Sequence, residues 1–228
     1  MSVSVAVFAS GGGSNFQSLL DAQSSEGPYQ VRLLVTDRPD IGAIGRAEGA
    51  GIPSIVVPVK GRPLEDVGEK TVALLQEHGV EVVLLAGYLR LIPSAVIRAF
   101  PRRILNIHPA LLPSFGGKGM WGHHVHEAVL ASGATFSGPT IHFVDEEYDT
   151  GSILAQWPVP VLAGDTPVTL AARVLAVEHI LYPLAAEHLC RAVRDGKTPA
   201  RLSPPGEGVQ IASTFDVDSV RRQIAAGF

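Results

Sequence analysis

The residues of this chain best suited to chemistry lie in "NIHPALLPSF", positions 106–115, where Asn106 and His108 stand two apart directly after an apolar run. On an extended segment, side chains two apart point to one side. An amide beside an imidazole is what acyl transfer needs: one group holds a developing oxyanion and the other supplies or manages a proton. The pair also has a structural reading, in which Asn106 bonds a loop backbone and His108 is a satisfied residue ahead of Pro109. On these residues alone, both readings stand.

Three further stretches could carry chemistry. "ASGGGSN", 9–15, sets Gly11, Gly12 and Gly13 between a strand and the start of a helix, so that free backbone N–H groups at a positive helix end form a phosphate cradle. The dinucleotide fingerprint wants a glycine where Phe16 stands, and a Walker loop wants a Gly-Lys-Ser/Thr ending that is absent. Asp37, at the end of the second strand, keeps a nicotinamide reading open, and a tight turn capped by Ser14 is the structural alternative. A monophosphate fits the loop better than either nucleotide class. "DEEYDTG", 145–151, gathers Asp145, Glu146, Glu147 and Asp149 without the oxygen-ligand pattern of a calcium loop, and by composition alone it is a solvated turn. "GHHVHEAV" brings together His123, His124 and His126 but lacks the His-Glu-x-x-His order of a zinc protease, so no metal is expected.

The elements that must position these residues follow from periodicity. Strand-like runs at 3–9, 31–36, 54–58, 81–86 and 103–108 alternate with segments of helical period such as 63–78. This predicts βαβ units in an α/β, single-domain, Rossmann-like fold: a mostly parallel twisted sheet with helices on both faces. "TIHFV" (140–144) and "ILAQWPVPV" (153–161) extend the sheet, the second run at an edge because of Pro158 and Pro160. Residues 166–192 carry helical spacing at Leu170, Val174, Val177 and Leu181, and Pro183 is expected to kink or end a segment there. In open α/β sheets the ligand crevice lies at the carboxyl ends of the strands, which is where Asn106 and His108 leave theirs.

The 228 residues, 46% hydrophobic, suit one domain of about 1–200 with a tail, 201–228, packed on it. A net charge of -4 offers no broad cationic face, which argues against a nucleic-acid partner. No run is expected to span a membrane, and the single cysteine, Cys190, reads as a buried thiol in a helix. Both features suggest a cytoplasmic protein acting on small molecules.

Taken together, "ASGGGSN", "AGYLRLIP" (86–93), "LNIHPALLPSF" (105–115), "FVDEEYDTGSILAQ" (143–156) and "VEHILYPL" (177–184) resemble the phosphoribosylglycinamide formyltransferases. These belong to the wider family of formyltransferases that use 10-formyltetrahydrofolate. The resemblance spans about 190 residues. It implies formyl transfer from 10-formyltetrahydrofolate, as co-substrate, to the glycyl amine of glycinamide ribonucleotide in purine synthesis, with no metal, by a monomer or homodimer. It places Asn106, His108 and Asp149 at catalytic positions, with Asp149 holding His108 and favouring its protonated form. Gly13, Ser14 and Asn15 match the loop that takes the ribonucleotide phosphate, and Glu178 matches the acid that contacts its ribose. Leu89, Arg90, Leu91 and Ile92 match the folate pocket together with Asn106 and the loop Asp145, Glu146, Glu147, Tyr148 and Asp149. Arg62 aligns with an upstream folate-contacting arginine. The chain departs from the family's shorter form in "SFGGKGMWGHH", which adds Lys118, Met120 and Trp121 beside the site, either as a closing loop or as surface variation. An initiator methionyl-tRNA formyltransferase would carry a further basic domain, a formyltetrahydrofolate hydrolase a regulatory domain, and a nucleotide-binding regulatory module would lack the catalytic set.

Overall fold

The computed structural model describes residues 1–202 and 215–227. Five parallel strands form its spine: β1 (Val3–Ala9), β2 (Tyr29–Thr36), β3 (Ser54–Val56), β4 (Val82–Leu85) and β5 (Ile104–His108). Two antiparallel strands, β7 (Thr140–Phe143) and β8 (Ile153–Gln156), extend it in the order β3-β2-β1-β4-β5-β7-β8. The strands read as unbroken apolar runs because both faces are covered. Val5, Val7, Val82, Leu84 and Leu105 face one core, and Ala6, Phe8, Val83, Leu85 and Ile104 face the other.

Helices close both faces. On the first lie α1 (Ser14–Ala22), α2 (Gly42–Gly49), α5 (His123–Ser132) and α6 (Pro167–Arg194), through residues such as Phe16, Ala43, Val125 and Leu181. On the second lie α3 (Leu64–Glu77) and α4 (Ser94–Ala99), through Leu75 and Val96. The last helix, α7 (Val217–Gly227), sets Val220 and Ile224 into the first core. Part of the expected 201–228 tail, residues 203–214 and 228, lies outside the described residues.

Two elements depart from the sequence expectation. The 153–161 run is not one strand: β8 ends at Gln156, and Val159–Pro160 forms β9, paired with β6 (Phe136–Ser137) in a separate two-stranded ladder. Pro158 has no N–H to continue the main ladder. Pro183 neither ends nor divides α6, which runs 28 residues from a Thr166/Thr169 capping box to Arg194. Leu181, Tyr182, Ala185 and Ala186 are fully buried around the proline, and this packing outweighs a local cost of about 3 kcal/mol. By length and composition α6 could cross a membrane, contrary to the expectation of no such run, but here it is the central core helix.

Candidate active site

Sheet register builds the centre of the site. In the antiparallel β5–β7 pair, Asn106 lies opposite His142 and His108 opposite Thr140. Asn106 Nδ2 donates to His142 Nε2 at 3.0 Å, and His142 Nδ1 donates to the Phe143 carbonyl at 2.8 Å, which fixes the ring. Thr140 Oγ1 donates to the Ala110 carbonyl and accepts from the Leu112 N–H, tying down the turn that follows β5. Asp149 reaches the same spot from the loop between β7 and β8. One carboxylate oxygen lies 3.5 Å from His108 Nδ1, and the other lies 3.5 Å from His142 Nε2 and 3.4 Å from Asn106 Nδ2. That loop must fold back tightly, because a Cβ on Gly151 would overlap the Phe143 carbonyl.

Burial governs the protonation of this cluster. It would raise the Asp149 carboxyl, but the adjacent His142 and His108 rings and the Gly117 N–H together hold it below its usual range. For His108, burial lowers the pKa below 6.5 against the opposing pull of Asp149 and of the Phe115 carbonyl, which accepts from Nε2 at 2.9 Å. The attraction to Asp149 runs as expected, yet the expected protonated ring is not the net result, because desolvation outweighs it. The imidazole is poised: its surroundings favour the neutral form, and its two nearest polar partners favour the charged one.

A cleft of about 480 Å³ opens over these residues. At one end Asn15 Nδ2 donates to Glu178 Oε2, and burial pushes the Glu178 carboxyl up to about 7 against that bond. At the other end lie Leu89, Arg90, Leu91 and Ile92, facing Asp145, Glu147 and Tyr148. Arg90 Nε donates to Asp37 Oδ2 at 2.8 Å, and Ser10, Arg90 and Arg38 outweigh burial to keep the Asp37 carboxyl below its usual range. Asp37 is therefore committed to arginine, which removes the ribose-acid reading that kept a nicotinamide site open.

Several expected residues lie off the cleft. Arg62 is exposed in the turn after β3, its N–H donating to the Val59 carbonyl, and Glu146 points to solvent. Ser14 lines a separate polar recess with Arg46 and His179. Nor does Ser14 cap α1, since Gly13 is the cap residue and no side chain bonds the helix end. Gly13 has φ 75°, and a Cβ there would meet Ala43 Cβ at 2.8 Å, whereas Gly11 and Gly12 have open space. The histidine run separates by helix face: His126 is buried while His124 is exposed beside Glu127. Sequence reasoning missed His142 and Thr140; their signal was alternation in "TIHFV", which placed them on one side of a strand. Lys118, Met120 and Trp121 also line the cleft.

The doubly wound sheet thus brings an amide, an imidazole and a carboxylate together at the carboxyl ends of its strands. The chain belongs to the formyl transferase family, whose sequence pattern matches residues 3–186. It is 54% identical over 190 residues to a chloroplastic phosphoribosylglycinamide formyltransferase of Arabidopsis thaliana, covering 82% of this chain and 65% of that protein. The corresponding Vigna unguiculata protein is 55% identical over 188 residues, covering 82% and 60%. The chain thus spans about three-fifths of the length of these curated relatives. The crystal structure of a phosphoribosylglycinamide formyltransferase from Brucella melitensis superposes with a TM-score of 0.76 at 41% identity, covering 83% of this chain and 96% of that one. The plant relatives overturn the cytoplasmic expectation, because both carry the chloroplastic designation. A lone cysteine and a mildly acidic chain are as compatible with a plastid as with the cytosol.

Proposed function

We propose that the chain transfers the formyl group of 10-formyltetrahydrofolate to the amine of glycinamide ribonucleotide, a step of purine synthesis. The observation that carries this reading is the convergence of Asn106, His108 and Asp149 in a cleft that runs from the Asn15–Glu178 pair to the Arg90 segment. The amine attacks the formyl carbon, negative charge develops on the formyl oxygen, and collapse of this tetrahedral intermediate breaks the bond from the formyl carbon to N10, which leaves as tetrahydrofolate with the proton that the amine gives up. Asn106 turns one N–H from its long contact with Asp149 onto that oxygen, and protonated His108, its two N–H groups held by Asp149 and the Phe115 carbonyl, stabilises it through its charge. Asp149 favours the imidazolium at this moment, when the oxyanion adds to its pull and offsets the effect of burial.

The two ends of the cleft divide the substrates. Glu178 takes the ribose and the loop Gly13, Ser14 and Asn15 the phosphate, while Leu89, Arg90, Leu91, Ile92, Asp145, Glu147 and Tyr148 take the folate. Arg62 and Glu146 touch at most the exposed part of the folate, since they stand outside the cleft. The packing of α7 on the first core supports reading the tail as part of the same domain.

The test is a steady-state assay with both substrates, following tetrahydrofolate release and formylated product together. Acceptor-dependent formyl transfer is the expected result. Release of formate without the ribonucleotide would identify a hydrolase instead, and no turnover of either kind would reject the reading.

A further inference from the structure

The glycine-rich insertion after Pro113 touches the centre of the site through its backbone. His108 Nε2 donates to the Phe115 carbonyl at 2.9 Å, and two residues later the Gly117 N–H donates to Asp149 Oδ2 at 2.9 Å. The intervening Gly116 is closely packed: a Cβ would meet the movable end of Leu112, Cδ2, at 2.5 Å and press on Asp149 Cβ at 3.2 Å. Phe115 sits at φ 56°, in the left-handed region, which aims its carbonyl back at the imidazole while its ring packs against the first core. Beyond this turn the same segment carries Lys118, Met120 and Trp121 to the wall of the cleft.

We propose that Phe115, Gly116 and Gly117 form a backbone clamp that positions His108 and Asp149 for catalysis, so that seating of the insertion and readiness of the pair are one event. The proposal rests on the reading of His108 and Asp149 as the catalytic pair and adds positioning residues that act through them. His108 and Asp149 face each other across a gap that neither side chain fixes alone. The Phe115 carbonyl orients the imidazole so that Nδ1 faces the carboxylate, and the Gly117 N–H orients the carboxylate so that Oδ2 faces Nδ1. If the segment lifts, His108 loses an acceptor and Asp149 a donor at once. The other titratable groups facing the pair are His142 from β7 and His126 from α5, and neither is held by the insertion.

Gly116→Val is the test, because a branched side chain wedged between Leu112 and Asp149 Cβ separates the turn from Asp149 while both members of the pair stay chemically intact. The expected result is a kcat lowered at least about tenfold, with KM for either substrate changed less than about twofold. The pH profile of kcat should narrow from both sides. Asp149 without the Gly117 N–H titrates higher, and His108 without the Phe115 carbonyl titrates lower. NMR titration of the ligand-free variant should show the His108 pKa falling relative to the parent protein. An unchanged His108 titration and an unchanged pH profile would overturn the clamp, even if kcat or melting temperature fell. The ligand-free titration also decides the clamp should formyl transfer itself be absent, which separates its failure from that of the functional reading.

Discussion

His108 Nδ1 stands 3.5 Å from Asp149 Oδ2, with side chains 4% and 10% exposed, so the pair titrates largely out of water. Desolvation lowers the His108 pKa, and Asp149 is the first group that raises it. Asp149→Asn should therefore lower the His108 pKa further, read by NMR as a shift of the imidazole titration to more acid pH. An unmoved titration would show the two residues to be uncoupled and the catalytic scheme to be wrong.

Asn106 and His108 are assigned to a charge that exists only near the transition state. Asn106→Ala and His108→Ala should each lower single-turnover formyl transfer by about 10² or more, with little change in substrate affinity. If instead they serve the turn, each change costs stability of order 1 kcal/mol and the folded protein keeps its activity. Measuring melting temperature and turnover on the same preparations separates the two outcomes.

The glycine loop should split into two behaviours. Gly13 is required by its φ of 75° and by the approach of Ala43, so Gly13→Ala should cost roughly 2 kcal/mol of stability whatever the ligand. A Cβ at Gly12 meets nothing within 4 Å, so Gly12→Ala should leave stability nearly intact and weaken ribonucleotide binding where the phosphate nears the backbone. Denaturant melts and ribonucleotide titrations of both variants check this. Equal binding by Gly12→Ala and the parent would move the phosphate elsewhere.

Glu178 should trade stability for function. Its folded carboxyl, at about 7, lies above the ordinary 4.5, so the folded state binds its proton more tightly than the unfolded chain does. Its contribution is complete below about pH 4.5 and lost as pH rises through about 7. Glu178→Gln keeps an acceptor for Asn15 and should raise stability at pH 8 by about 3 kcal/mol while changing it little at pH 4.5. The same variant should bind the ribonucleotide less well. Urea unfolding at the two pH values reads the first effect, and no gain at pH 8 would refute the burial argument.

His126 should make the fold acid-sensitive. Burial, with His123 and His108 nearby, brings its pKa down to about 4 from 6.5, so the stability it confers is present above about pH 6.5 and lost as pH falls towards 4. His126→Leu should flatten that acid slope, measured as melting temperature across the range. A slope as steep as the parent's would place the sensitivity in other groups.

Local periodicity determined the strands and helices of the spine, because a parallel sheet covered on both faces demands unbroken apolar runs such as "VVLL". It also determined that Asn106 and His108 share a side, since strand alternation is geometric. What the sequence left open was everything set by contact across long separations. Asn106 and Asp149, 43 residues apart, meet only because β7 turns antiparallel beside β5 and its following loop folds back at Gly151. His142 enters the site through that same register. Asp37 resembled a ribose acid until Arg90 was found against it, and Pro183 resembled a helix end until the core around α6 was in view. The protonation of His108 turned on the balance between burial and one carboxylate, and both terms of that balance are fixed by packing alone.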